Sequence, residues 1–238
     1  MPYKRVLLKF SGEALAGEKR FGISHLVIDQ ISDEIIQAKA LGTEIGIVIG
    51  GGNFFRGIEA GEGGDRVKAD QMGMLATVMN ALAMQEMLQR KGQTVHHLSA
   101  IRMIEVAEPM IAARANEYLS DGKIVLFSAG TGNPFFSTDT AAALRAAEIK
   151  ADAIIKATKV DGVYDKDPVK YPDALFFRDL NFQEVVERQL KVMDLTAITL
   201  CRDNRIPIIV YNMKKPGNLD RILRGEKIGT LISGGQNG

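Results

Sequence analysis

Short apolar runs alternate along the chain with longer segments whose apolar residues recur every three or four positions. Runs that are almost uniformly apolar are typical of strands buried on both faces. The pattern predicts strands at Val6–Phe10, Ile45–Ile49, Ile124–Phe127, Ala153–Ile155 and Ile206–Tyr211. A weaker strand is predicted at Val95–Leu98, and a final strand at Thr230–Ile232.

The longer segments predict amphipathic helices, of which Ser24–Leu41 shows the pattern well. Its apolar face comprises Ile28, Ile31, Ile35 and Ala38. Ser24 is a suitable N-cap, and Gly42 a suitable residue to end the helix. Further helices are predicted at Gln71–Gln89, Glu108–Leu119, Asp139–Ile149, Phe182–Arg188, Leu195–Arg202 and Asn218–Arg224. The glycine-rich, charged segment Gly57–Asp70 is predicted to be a mobile loop.

Apolar strands that alternate with amphipathic helices indicate an α/β fold with a mostly parallel sheet covered on both faces. Ligands of such sheets bind beyond the carboxyl ends of the strands. Polar or glycine-rich residues follow several predicted strands, namely Lys9, Gly50–Gly52, Ser128–Gly132 and Lys156–Lys159. We therefore expect these segments to converge on one crevice.

Composition narrows the class of protein. The chain has 238 residues, of which 46% are hydrophobic and 25% charged, as in ordinary globular proteins. A formal net charge of +1 and the lack of a basic run argue against a nucleic-acid binder. No apolar stretch is long enough to span a membrane, and the single cysteine, Cys201, fits a reducing compartment. We expect a cytoplasmic protein.

Lys9 is the first residue that suggests chemistry. Alternation along the strand places Val6, Leu8 and Phe10 on one face and Leu7 and Lys9 on the other. A lysine on a covered face is costly to desolvate unless it meets an anion, and Ser11-Gly12 directly after it suits a phosphate turn. The alternative is a lysine that reaches solvent at a sheet edge.

The glycine run Gly50–Gly52 is the second candidate. Without side chains, its backbone N–H groups can closely approach an anion, and Arg56 just beyond can bind a phosphate with two parallel bonds. A purely structural turn is the alternative interpretation.

The segment Ser128–Asp139 joins a predicted strand to a predicted helix and is rich in small, hydroxyl and amide residues. Backbone N–H groups, Thr131, Asn133 and Thr138 can hydrogen-bond a polar ligand, and a helix N-terminus favours an anion. Alternatively, this is an ordinary loop capped by Ser137, Thr138 or Asp139.

The segment Lys156–Pro168 follows the next predicted strand. Within it, Tyr164 can pack on a base and Asp167 can accept hydrogen bonds from a ribose or a base. A charged surface hairpin is the alternative. By contrast, His25, His96 and His97 lack metal-ligand spacing with acids or Cys201, so no protein metal site is expected.

Together these segments resemble the bacterial uridylate kinases of the amino acid kinase superfamily, over about Tyr3 to Ile232. The most specific similarities lie at Lys9–Leu15, Gly50–Gly57, Asp70–Met74, Thr131–Thr138, Lys156–Val163 and Val192–Leu195. The resemblance implies an α/β/α three-layer sandwich around a mainly parallel eight-stranded sheet. It also implies one catalytic domain that spans residues 1–238.

The resemblance further implies transfer of the γ-phosphoryl group of Mg·ATP to UMP. The residues implied to bind ATP are Lys9, Phe10, Ser11, Gly12, Gly52, Arg56, Thr158, Tyr164 and Asp167. Those implied to bind UMP are Gly51, Asp70, Thr131, Gly132, Asn133, Pro134, Phe135, Phe136, Ser137 and Thr138. Catalysis would rest on Lys9, Arg56 and Asp194. Asp194 would orient Lys9, although it also suits the N-cap of the helix at Leu195.

Members of this group are homohexamers that use Mg²⁺ bound through ATP and are activated by GTP and inhibited by UTP. The methionine-rich helix Gln71–Gln89 is a candidate subunit interface. The implied GTP region is Gly17, Glu18, Lys19, Arg20, Phe21 and Gly22, in which Lys19-Arg20 replaces the usual small or acidic residues. The alternatives are a kinase for a small carboxylate or carbamate and a non-catalytic uridine-nucleotide sensor.

Overall fold

The computed structural model describes residues 2–19, 21–55 and 64–234. The strands are β1 (Arg5–Phe10), β2 (Glu44–Ile49), β3 (Val95–Ser99), β4 (Glu108–Pro109), β5 (Ile124–Ser128), β6 (Ala153–Thr158), β7 (Val163–Tyr164), β8 (Phe176–Phe177), β9 (Asp179–Asn181), β10 (Ile208–Asn212) and β11 (Thr230–Ser233). The α-helices are α1 (Gly12–Leu15), α2 (His25–Ala40), α3 (Arg66–Arg90), α4 (Ala112–Ser120), α5 (Thr138–Glu148), α6 (Phe182–Glu187), α7 (Leu195–Asp203) and α8 (Asn218–Leu223).

The central sheet has nine strands within the described residues, in the order β4-β3-β5-β2-β1-β6-β10-β11-β9. Neighbouring strands run parallel except for β10 and β11, which pair antiparallel. The mainly parallel α/β fold is therefore confirmed, with one strand more than expected. A separate small hairpin joins β7 to β8.

Two apolar layers lie on opposite faces of the sheet. Val6, Leu8 and Phe10 pack into the layer that contains α2, α3 and α8, whereas Leu7 packs into the layer beneath α4, α5 and α7. The alternation predicted for β1 is thus confirmed. It explains why a strand buried on both faces reads as a continuous apolar run.

Helix α2 has the predicted buried face, formed by Ile28, Ile31, Ile35 and Ala38. Gly42 follows its last turn with φ of 85° and donates its N–H to the carbonyl of Lys39. A left-handed residue at this position ends a helix at little cost when it is glycine.

Helix α3 begins earlier than predicted. Asp65 caps it by accepting from the N–H of Val67 at 2.8 Å, so Arg66–Asp70 is helical rather than loop. The remainder of the predicted mobile loop lies outside the described residues, apart from Gly64 and Asp65. The prediction for Glu108–Leu119 also needs correction, because Glu108–Pro109 pairs with β3 and the helix begins only at Ala112.

Among the described residues, no helix is both long and apolar enough to cross a bilayer. The elements that escaped prediction are the single-turn helix α1 and the short strands β7, β8 and β9. Each is too short to show a hydrophobic period of its own.

Candidate active site

The four parallel strands β5, β2, β1 and β6 are neighbours, and their carboxyl ends lie along one edge of the sheet. The segments that follow them are the predicted ligand-binding segments, and they therefore lie side by side along this edge. The segments that follow β1 and β2 are in close contact with each other. A Cβ atom built on Gly12 would lie 2.5 Å from the backbone nitrogen of Gly52 and 2.7 Å from the carbonyl oxygen of Gly50. Only glycine at position 12 permits this approach.

The turn Gly50–Gly52 also lies against α3. A Cβ atom on Gly51 would lie 2.6 Å from the carbonyl oxygen of Gly73, so this side of the turn is likewise closed to side chains. A cavity of about 150 Å³ opens beside the turn. Its lining includes Gly51, Gly52, Phe55, Asp70, Thr77, Gly130, Phe136, Ser137 and Thr138. We call it the acceptor cavity.

Asp70 lines this cavity, and its carboxylate already accepts hydrogen bonds from two donors. Its Oδ2 accepts the N–H of Phe135 at 2.7 Å, and the Nε of Arg66 lies 2.9 Å from both carboxylate oxygens. An ionised carboxylate has about four lone-pair sites, so capacity remains for a ligand hydroxyl. Asp70 thereby joins α3 to the loop before α5.

The loop before α5 divides into two parts. Phe136, Ser137 and Thr138 line the acceptor cavity, together with Gly130. The remaining predicted residues, Thr131, Gly132, Asn133, Pro134 and Phe135, form an arc of exposed or half-buried residues. Within the arc, the N–H of Asn133 donates to Thr131 Oγ1 at 3.2 Å.

Ser137 caps α5, because its hydroxyl accepts from the N–H groups of Asp139 and Thr140 at 3.0 and 3.2 Å. The capped-loop interpretation is therefore correct for Ser137, and it does not exclude ligand binding by the same loop.

A second and larger cavity, of about 610 Å³, lies beyond β6. Its lining includes Gly162, Tyr164, Asp167, Tyr171 and Leu190, and we call it the donor cavity. Tyr164 packs edge-on against Phe176, with ring centroids 5.3 Å apart. Thr158 lies at the end of β6, where its hydroxyl is 2.8 Å from the carbonyl oxygen of Val160 and 3.0 Å from that of Tyr211. It shapes the turn that leads to this cavity.

A buried cluster of charges joins β1 and β6 to the start of α5. Lys9 on β1 and Lys156 on β6 are register partners, and both contact Asp139 in the first turn of α5. The Lys9 Nζ is 2.5 Å from Asp139 Oδ1, and the Lys156 Nζ is 2.8 Å from Asp139 Oδ2. Lys156 also donates to the carbonyl oxygen of Val192. Only 5% of Lys9 is exposed. The lysine is thus on a covered face and is paired, as the sequence required.

Burial and mutual proximity shift the pKa values in this cluster. Burial lowers the pKa of Lys156, and the nearby charge of Lys9 lowers it further. For Asp139, burial alone would raise the pKa, but the two lysine charges outweigh burial and hold it below its ordinary value. Two lysines thus share one carboxylate in this cluster.

Asp194 is the N-cap of α7, as its structural interpretation predicted. The carboxylate in direct contact with Lys9 is that of Asp139. Asp194 accepts from Ser137 Oγ, from Thr140 Oγ1 at 2.9 Å and from the N–H of Ala197 at 2.9 Å. It therefore caps α7 and ties it to the start of α5. Its charge also favours protonation of Lys156.

Two predicted residues, Arg56 and Arg20, lie outside the described residues. The rest of the implied GTP region is described: Gly17, Glu18 and Lys19 form a single 3₁₀ turn, and Phe21 and Gly22 follow. Phe21 is two-thirds exposed, at 67%.

His97 on β3 and Ser128 at the end of β5 lie close together on the same sheet. The His97 Nε2 is 2.6 Å from Ser128 Oγ, and burial lowers the pKa of His97 to about 4. His97 is therefore neutral near pH 7. In the described parts of the chain, no three His, Cys, Asp or Glu side chains form a cluster that could hold a metal ion.

Comparison with known proteins agrees with this geometry. Residues 4–212 match the model of the amino acid kinase family. This chain belongs to the amino acid kinase family. The chain is similar to the UMP kinase of Bacillus anthracis, with 43% identity, a TM-score of 0.94, and coverage of 98% of this chain and 97% of that one.

Two further solved structures of the family are similar. The UMP kinase of Ureaplasma parvum is 35% identical, with a TM-score of 0.90 and coverage of 98% and 100% of the two chains. The uridylate kinase of Archaeoglobus fulgidus is 29% identical, with a TM-score of 0.73 and coverage of 96% and 99%. The resemblance to uridylate kinases noted from the sequence motifs is confirmed.

Sequence reasoning missed Asp139, the residue at the centre of the buried charge cluster. Asp139 was considered only as a helix cap, and Lys156 only as one polar residue at a strand end. A usable signal was present: lysines near the ends of two buried strands require a carboxylate between them, because a buried unpaired charge is very costly.

Proposed function

We propose that this chain transfers the γ-phosphoryl group of ATP to UMP, giving UDP and ADP. The observation that carries the proposal is the position of Lys9. Its strand, β1, lies between β2, whose following turn lines the acceptor cavity, and β6, which leads to the donor cavity. A paired cation on the strand between these two is suited to two phosphorylated ligands that meet end to end.

UMP is assigned to the acceptor cavity. Asp70 would accept its ribose hydroxyls, and Gly51 with the loop 131–138 would bind its base and phosphate. ATP is assigned to the other side, with its nucleoside at Thr158, Tyr164 and Asp167. Its phosphates would lie on Lys9, Phe10, Ser11, Gly12, Gly52 and Arg56. The similarity to UMP kinases supports the choice of UMP as acceptor.

The chemistry demanded of the side chains is modest. A phosphate oxygen of UMP is already anionic near neutral pH, so no strong base is required. The site must align the two phosphates and stabilise negative charge that spreads over the transferred group. Lys9 supplies positive charge at this point, while Asp139 holds the ammonium group in place. Asp194 would act by fixing the start of α5, which carries Asp139.

Mg²⁺ is expected to enter with ATP. Asp139 is held by two lysines and no acidic cluster is present among the described residues, so the donor set fits an ion carried by the nucleotide phosphates. When bound, the ion would neutralise phosphate charge. The residues assigned to the ATP phosphates would hold the ion indirectly, by fixing the phosphates that carry it.

Regulation and assembly belong to the same proposal. We propose a cytoplasmic homohexamer, activated by GTP through residues 17–22 and inhibited by UTP. Helix α3 supports the assembly, because Met72, Leu75, Met79 and Leu82 form an exposed apolar stripe on one face.

An acceptor panel tests the reaction. The purified chain is incubated with Mg·ATP and one of UMP, CMP, aspartate or carbamate, and nucleotides are separated by chromatography. We expect UDP and ADP in equal amounts from UMP, with kcat/KM for UMP at least ~100-fold above that for aspartate or carbamate. Faster phosphorylation of aspartate or carbamate would assign the chain to another branch of the family. Tight UMP binding without any turnover would indicate a sensor and reject catalysis.

A further inference from the structure

Two fully buried asparagines lie directly behind the glycine turn. Asn53 follows the turn and Asn80 lies in the middle of α3, with exposures of 1% and 0%. Their amide groups pair reciprocally. Asn53 Nδ2 donates to Asn80 Oδ1 at 2.9 Å, and Asn80 Nδ2 donates to Asn53 Oδ1 at 2.7 Å. Neither asparagine is among the residues proposed to bind ATP or UMP or to take part in catalysis.

The second proton of each amide is also used. Asn80 Nδ2 donates to the carbonyl oxygen of Gly50 at 2.7 Å, and Asn53 Nδ2 donates to that of Gly22 at 2.8 Å. A continuous chain of hydrogen bonds therefore runs from Gly50 through Asn80 and Asn53 to Gly22. Because each amide donates two hydrogen bonds and accepts one, rotating either amide would break three bonds at once.

Other contacts strengthen both ends of this chain. At one end, the N–H of Gly22 donates to the carbonyl oxygen of Asn53 at 3.0 Å, and the rings of Phe21 and Phe54 pack edge-on at 5.7 Å. Phe21 is mostly exposed, so burial alone does not hold this segment in place. These contacts dock Phe21–Gly22 onto the residues after the glycine turn.

At the other end, the hydrogen-bond chain reaches the segment that begins at the end of β1, which is proposed to bind the ATP phosphates. A Cβ atom on Gly12 would lie 2.6 Å from Asn53 Oδ1, and the N–H of Gly50 donates to the carbonyl oxygen of Phe10 at 2.9 Å. The asparagine pair thus forms the wall against which the segment after β1 and the glycine turn are both packed.

We propose that Asn53 and Asn80 are positioning residues that fix the Gly50–Gly52 turn and couple it to the docked Phe21–Gly22 segment. Only the kinetic part of this inference rests on the proposed function. Displacement of Phe21–Gly22 alters the hydrogen bonding of Asn53, and Asn53 transmits the change to the turn through Asn80. Neither asparagine touches the transferred group.

Hydrogen exchange tests the coupling without catalysis. Asn80 is linked to Gly22 only through Asn53 in this chain of bonds, so in Asn80→Ala the exchange of a peptide that covers residues 17–24 should accelerate about 10-fold. Ser32→Ala is the matched control. Ser32 is also fully buried, and its hydroxyl donates to the carbonyl oxygen of Ile28 at 2.7 Å. The hydroxyl also lies next to the sulfur of Met84 on α3. It should leave exchange at 17–24 and at 50–55 unchanged.

Kinetics test the positioning role. In Asn80→Ala and in Asn53→Ala, kcat for UDP formation should fall about 10-fold or more, because misaligned phosphates react slowly. The KM values for ATP and UMP should stay within about threefold, because the turn still offers its N–H groups. The double variant should lose little more than either single variant, since both act through one network. Ser32→Ala should keep the wild-type kcat.

The outcomes separate the two proposals. Unchanged exchange at residues 17–24 in both Asn80→Ala and the milder Asn80→Ser overturns the coupling, and unchanged kcat overturns the positioning role. Should Asn80→Ala fail to fold, Asn80→Ser carries both measurements. If the wild type makes no UDP, the proposed function fails, while the exchange experiment still decides the coupling.

Discussion

Lys9 illustrates how a single residue is defined by its surroundings. It lies on the central strand β1, is almost fully buried and contacts Asp139. In Lys9→Met the remaining pair, Asp139 and Lys156, still neutralise each other, so the fold should persist. We expect kcat to fall at least ~100-fold, because charge on the transferred phosphoryl group loses the cation that Lys9 supplies.

Steady-state kinetics and circular dichroism measure this loss and the integrity of the fold. Lys4→Met is the matched control, because Lys4 precedes the same strand at its opposite end and its side chain is 84% exposed. A Lys9→Met enzyme with the turnover of the Lys4→Met enzyme would reject the role assigned to Lys9.

His97 gives the protein a measurable pH dependence of stability. Its pKa falls from 6.5 to about 4 on burial, so between these values the unfolded chain binds a proton that the folded chain does not. Stability is therefore fully present above pH 6.5 and is lost as the pH falls toward 4. The loss attributable to His97 between pH 7 and pH 4.5 is about 2 kcal/mol.

Urea unfolding at the two pH values tests this effect. The fall in the free energy of unfolding should be about 2 kcal/mol smaller in His97→Gln than in the wild type. The hydrogen bond between His96 Nδ1 and Glu108 Oε1 is present in both proteins, so its contribution cancels. Equal falls in the two proteins would contradict a neutral, buried His97.

At the scale of residues, sequence predicts what a residue needs but not which partner meets that need. A lysine in a covered strand requires an anion, and this requirement identified Lys9. Asp139 lies 130 positions away and is adjacent to Lys9 only because α5 begins above β1. Asp194 was paired with Lys9 by resemblance, whereas the structure places it at the junction of α5 and α7.

The element scale explains why Asp139 matters for the fold. One carboxylate in the first turn of α5 joins two strands, β1 and β6, through Lys9 and Lys156. Asp139→Asn leaves two buried ammonium groups facing each other with no anion between them. We expect the free energy of unfolding to fall by about 3 kcal/mol, the usual scale for removing one partner of a buried ion pair.

Denaturant unfolding of a small variant set tests this expectation. Adding Lys156→Met to Asp139→Asn removes one of the opposed cations and should restore at least about half of the loss. Asp121→Asn is the control, because its ion pair with Lys123 is on the surface and should change stability by about 0.5 kcal/mol or less. An Asp139→Asn protein as stable as the Asp121→Asn protein would contradict the bridging role.

Helix prediction succeeded where the period of apolar residues extends over several helical turns. Helix α2 was placed almost to the residue, because four apolar side chains mark its face and Gly42 marks its end. The start of α3 was missed, since Asp65 caps it within a segment whose glycines and charges resemble a loop. The helix predicted at Glu108–Leu119 begins later than expected, because Glu108 and Pro109 pair with β3, a long-range contact that local sequence does not encode.

At the scale of the whole molecule, the exposed stripe on α3 should determine assembly. Met72, Leu75, Met79 and Leu82 are between 38% and 51% exposed in the single chain. Charge in this stripe would oppose burial against another subunit. We expect Leu75→Glu with Met79→Glu to reduce the oligomer mass measured by light scattering. Val169→Glu, at an exposed loop residue, is the control and should keep the wild-type mass.

A wild-type protein that is monomeric at micromolar concentration would reject the proposed assembly. If the double variant instead keeps the wild-type mass, α3 is not part of the interface and another surface must hold the subunits together.

The central position of β1 has a consequence for biosynthesis. β1 is the earliest strand of this sequence to leave the ribosome, yet it pairs on one side with β2 and on the other with β6. One edge of an apolar strand therefore stays unpaired until residue 158 has emerged. Open edges of this kind invite pairing between nascent chains. The yield of this protein in cells should consequently depend on translation speed and on chaperones that shield emerging polypeptides.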